Sequence, residues 1–88
     1  MPQPARPRRL LFRADARPEL GGGHIMRCLS LAAALKVPEI RIAFACMPGS
    51  AELVPALSRS GLPVMAARST ADFDLPATWD GRADAVVI

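Results

Sequence analysis

Leu10-Leu11-Phe12-Arg13-Ala14 reads as a short strand, Gly21-Gly22-Gly23 as a sharp turn, and Gly23 to Lys36 as a helix. Ile25, Cys28, Leu29, Ala32 and Leu35 fall on one apolar stripe of that helix, and Pro38 closes it. The same order then repeats. Ile40 to Met47 is apolar with β-branched and aromatic members, Pro48-Gly49-Ser50 turns the chain, and a second helix follows with Ser50 as N-cap and Glu52 in its first turn. Gly61 ends that helix, Leu62 to Ala67 gives a third strand, and Pro63 is tolerable near its start. Arg68 to Asp84 reads as loop with one helical turn near Pro76 to Trp79, and Ala85-Val86-Val87-Ile88 is a fourth strand.

Strands that are apolar almost throughout and that alternate with helices predict an α/β fold, a parallel Rossmann-like sheet covered on both faces. A chain of 88 residues holds one small domain. A complete sheet has about five or six strands, so residues 10–88 read as the front part of a larger domain, with residues 1–9 as a frayed tail. Without a helix after Val86-Val87-Ile88, an apolar sheet face and an open edge are expected to stay exposed.

Charge narrows the function classes. Arg6, Arg8, Arg9, Arg13 and Arg17 oppose only Asp15 among residues 1–17, which gives +4 there, and the rest of the chain carries −1. A nucleic-acid footprint calls for a basic body with interleaved aromatics, and Phe12, Phe44, Phe73 and Trp79 are scattered. Nucleic acid is therefore not the expected partner. Leu10-Leu11-Phe12 is too short for a secretory core, and no run approaches the ~18 apolar residues of a membrane span, so the expected compartment is the cytoplasm without membrane insertion. Cys28 and Cys46 read as buried free thiols.

The glycine turn opens a helix whose first amides lack partners, a setting that attracts anions. It is not a Walker loop, because His24 and Ile25 stand where a lysine and a hydroxyl residue are needed. It departs from the dinucleotide fingerprint as well: Met26 replaces the third glycine and no acidic residue ends the second strand at Ala45-Cys46-Met47. His24, the sole histidine, sits in the first helical turn beyond the end of the first strand, where open α/β sheets bind ligands. A neutral imidazole there can take a proton from water, the work of a general base; capping or packing the helix start is the alternative. With no second histidine, a metal site is not expected. Asp15 fits a turn former or a group that orients His24 or Arg27, and Arg13 fits a buried carboxylate partner or an anion contact.

Phe12-Arg13-Ala14-Asp15 followed by Gly21-x-Gly23-His24-x-x-Arg27-Cys28-Leu29-x-Leu31-Ala32 closely resembles the start of the UDP-2,4-diacetamido-2,4,6-trideoxy-β-L-altropyranose hydrolases of pseudaminic acid biosynthesis and their spore-coat polysaccharide relatives. Ala43-Phe44-Ala45-Cys46 and Ala85-Val86-Val87-Ile88 also look like strands of that family, so the resemblance covers residues 10–88. It implies a two-domain fold like that of GT-B glycosyltransferases, with UDP held by a second domain that this chain lacks. The implied reaction removes UDP from a UDP-linked sugar with no cofactor. His24 would activate water, Gly21, Gly22 and Gly23 would let the backbone approach the sugar diphosphate, and Arg13, Asp15 and Arg27 would shape or charge-balance the pocket. The family continues past the fourth strand with Asp-His-Tyr, which is not in this chain, and the isolated chain is expected to be inactive. A GT-B glycosyltransferase and a non-catalytic fragment are the alternative readings.

Overall fold

The computed structural model describes residues 6–88. Its strands are β1 (Arg8–Arg13), β2 (Ile40–Cys46), β3 (Val64–Ala66) and β4 (Ala85–Val87), and its helices α1 (Gly23–Ala34), α2 (Ser50–Leu53) and α3 (Pro55–Arg59), with a 3-10 turn at Ala77–Trp79. All four strands are parallel in the order β3-β2-β1-β4, the α/β sheet expected.

Register sorts the side chains into two layers. Phe12 pairs with Phe44, and their stacked rings lie 5.2 Å apart beneath Ile25, Cys28 and Ala32 of α1, Leu57 of α3, and Val54 at the break between α2 and α3. Each of these buried phenylalanines contributes about 1.5–3 kcal/mol by leaving water. Leu11, Ala43 and Ala45 point the other way, where Ala67, Phe73, Leu75 and Trp79 cover them. Among the described residues α1 and α3 thus cover one face, and the segment joining β3 to β4, with its 3-10 turn, covers the other. Val86 (41% exposed) and Ile88 (70%) are open at the β4 edge.

Local differences from the sequence expectation have physical causes. The single helix expected from Ser50 to Gly61 is two short ones, because Pro55 has no amide to donate and Val54, at φ −128° and ψ 80°, leaves helical geometry. Ser50 is not an N-cap; Gly49 (φ +92°) holds that position and Ser50 is buried inside the first turn. β1 begins at Arg8, inside the segment expected to be a tail. Arg8 N–H donates to the Glu39 carbonyl, Arg9 N–H to Asp84 Oδ2 at 2.7 Å, and the Arg9 guanidinium to the Trp79 carbonyl. The expected tail thus loses Arg8 and Arg9 to the sheet, while residues 1–5 lie outside the described residues. No helix among the described residues is long and apolar enough to cross a membrane.

Candidate functional site

The loop leaving β1 is pinned by side chains rather than by regular structure. Asp15 Oδ1 accepts Arg13 Nη1 at 2.7 Å and the Met47 amide at 2.8 Å, tying the ends of β1 and β2 together. The buried Ser50 hydroxyl accepts the Ala16 amide at 3.0 Å and lies 3.4 Å from the Ala16 carbonyl, to which it can donate. Leu20 and Gly21 then donate to the Arg17 carbonyl, a tight closure in which Gly21 takes φ +70°. Three anchors thus fix the path into α1.

Arg13 is 4% exposed, with its Nε donating to the Ser69 carbonyl at 2.9 Å. Of the two roles open to it in the sequence, carboxylate partner is the one found. Asp15 likewise accepts its hydrogen bonds from Arg13 and Met47 rather than from His24 or Arg27. Burial pushes the Asp15 carboxyl up, but the Arg13 hydrogen bond, the Met47 amide and the charges of Arg13 and Arg17 outweigh it and hold the group below its ordinary value.

Arg13, Asp15, Gly21, Gly23, His24 and Arg27 line one concavity of about 620 Å³. Arg17 and Leu20 extend its near wall, and Thr70 and Ile88 form the far side. The strand order explains the place. From β1 the chain runs outward through β2 to β3, then returns to the opposite side of β1 as β4, so the sheet changes direction between β1 and β4. In open α/β sheets the crevice past the carboxyl ends of strands at such a switch point is where ligands bind.

The site is cationic. Arg13 and Asp15 cancel each other, whereas Arg17 and Arg27 enter no ion pair among the described residues. Among the described residues no side chain caps α1, and its first turn holds no acidic residue, so the amides there keep their affinity for an anion. His24 is exposed and makes no side-chain hydrogen bond among the described residues, which leaves its imidazole open to a ligand or a water.

Gly22 departs from the expected set. It does not line the concavity, and a Cβ placed on it would come 2.5 Å from Val54 Cγ2. Its lack of a side chain serves the packing of the loop on Val54, not ligand approach. Cys28 and Cys46 are buried and free, and burial, with a smaller push from Asp15, raises the Cys46 thiol to about 11. Among the described residues no three His, Cys, Asp or Glu side chains come together to hold a metal ion.

Sequence reasoning passed over Arg17, Thr70 and Ile88 as site residues. Ile88 follows from β4 lying beside β1, which becomes visible only with the strand order; Thr70 follows from the Ser69 carbonyl holding Arg13. Compared with known proteins, the chain matches no family model, no curated protein and no solved structure.

Proposed function

We propose that this chain carries the histidine-bearing side of a nucleotide-sugar hydrolase, acting on a UDP-linked 2,4-diacetamido-2,4,6-trideoxy sugar as its glycine-loop resemblance implies. The observation that carries the reading is the gathering of His24, Gly21, Gly23, Arg17 and Arg27 around one concavity at the β1/β4 switch point. His24 takes a proton from water, the water oxygen bonds to the anomeric carbon, and the bond from that carbon to the diphosphate oxygen breaks, releasing UDP with both electrons of that bond. Gly21 and Gly23 give the sugar diphosphate access to backbone amides, and Arg17 and Arg27 offset its charge. The Arg13–Asp15 pair is a positioning element that holds the loop. The uridine end belongs, on the same resemblance, to a second Rossmann-like domain facing this one.

Turnover in ¹⁸O-labelled water, by a protein that joins this chain to such a second domain, tests the reading. Hydrolysis at the anomeric carbon puts the label in the free sugar and none in UDP. Label in UDP would mean attack at phosphorus, and a glycoside product formed only with an added acceptor would mean a transferase; either result replaces the proposal.

A further inference from the structure

A second concavity, of about 630 Å³, lies at the opposite end of the sheet. Arg6, Arg8, Arg9, Arg41 and Arg82 line it with only Asp80 and Asp84 opposing them. The chain has 11 Lys and Arg against 8 Asp and Glu, so this one hollow holds the whole surplus of +3 and the remaining six cations and six anions balance.

The register makes the concentration specific. Arg9 and Arg41 are direct partners across β1 and β2, so they stand on the same face, two like charges side by side. Such a pair disfavours the sheet unless an anion intervenes. The protein supplies part of that anion: Arg9 Nη2 lies 3.9 Å from Asp80, and Arg82 Nη2 lies 3.6 Å from Asp84. Asp80 and Asp84 are thereby used by Arg9 and Arg82. Arg6, Arg8 and Arg41 enter no ion pair among the described residues.

We propose that this hollow is an anion site for a compact ligand bearing two linked phosphate groups. A guanidinium presents a planar fork of donors that matches phosphate oxygens, and several at one place suit more than one phosphate. The volume fits a small molecule. A nucleic-acid strand fits less well, because stacking needs an exposed aromatic and Trp79, the aromatic lining the hollow, is 5% exposed. The site stands apart from the His24 concavity, with which it shares no lining residue, and does not depend on the function proposed there.

Titration of the ¹⁵N-labelled chain with inorganic pyrophosphate, and separately with sulfate at matched ionic strength, tests the site. Pyrophosphate should move the Thr78, Asp80 and Arg82 amide resonances saturably and at least tenfold more tightly than sulfate. Arg41→Ala, an exposed change on β2, should weaken that binding roughly tenfold, the loss of one charge-assisted contact, and Arg41→Lys should weaken it less. Equal affinity for the two anions, shifts confined to Gly21, Gly23 and His24, or indifference to Arg41→Ala would each overturn the proposal.

Discussion

Arg13 and Asp15, two residues apart at the end of β1, close an ion pair of 2.7 Å in which the arginine side chain is 3% exposed and the carboxylate 25%. Because the same carboxylate oxygen also holds the Met47 amide, removing it strands a buried cation and frees the end of β2 together. Asp15→Ala should therefore cost about 2–4 kcal/mol of stability by chemical denaturation, near the range for breaking a buried pair. A change under about 0.5 kcal/mol, the ordinary effect of a surface substitution, would show that the pair does not anchor the loop.

The same carboxylate sets a pH dependence. Its value in the folded chain lies below its ordinary 3.8, so the folded state binds a proton there less readily than the unfolded one. That contribution is complete above the unfolded value and is lost as pH falls through the lower folded one. The melting temperature of the wild type should drop more steeply than that of Asp15→Asn between about pH 4 and pH 2. Asp72 and Asp84, also lowered, by Arg68 and by the Arg9 amide respectively, leave a residual slope in both. Parallel curves would exclude Asp15 as a source.

Gly22→Ala should destabilise by about 1–3 kcal/mol through overpacking, since the added carbon meets Val54, which is 4% exposed and stiff at its branched carbon. In a Val54→Ala background the same change should cost much less. Equal costs in the two backgrounds would place the role of Gly22 elsewhere.

Ser50→Ala leaves the buried Ala16 amide without its acceptor, at a cost of about 1–3 kcal/mol. Hydrogen exchange at Ala16 should quicken far more than at Phe44 in the core. Uniform quickening across both would mean a global loss rather than a released loop.

Cys28 and Cys46 should both resist alkylation near neutral pH until denaturant is added, because both are buried and burial raises both thiols. Rapid labelling of the native chain at either position would contradict this packing.

The strands and α1 were legible in the sequence because apolar runs and the 3.6-residue stripe of Ile25, Cys28 and Ala32 report burial directly. The position of most of the site was legible too, since a glycine turn after a strand places His24 and Arg27 at the strand's carboxyl end. What escaped depends on long-range partners. The sheet hold on Arg9 comes from Asp84 and Trp79, the constraint on Gly22 comes from Val54, and the Ser50 hydroxyl turns back to Ala16. None of these contacts leaves a local pattern around the residue it governs.

His24→Asn, made in a protein that joins this chain to the second, UDP-holding domain the proposed function calls for, tests the central claim most directly, with UDP release and sugar-nucleotide binding measured together. Asparagine keeps a polar side chain of similar size but cannot accept the water proton. UDP release should fall by about 10²–10⁴-fold, the usual loss with a general base, while affinity for the UDP-sugar changes little. Undiminished release from the variant would contradict the account.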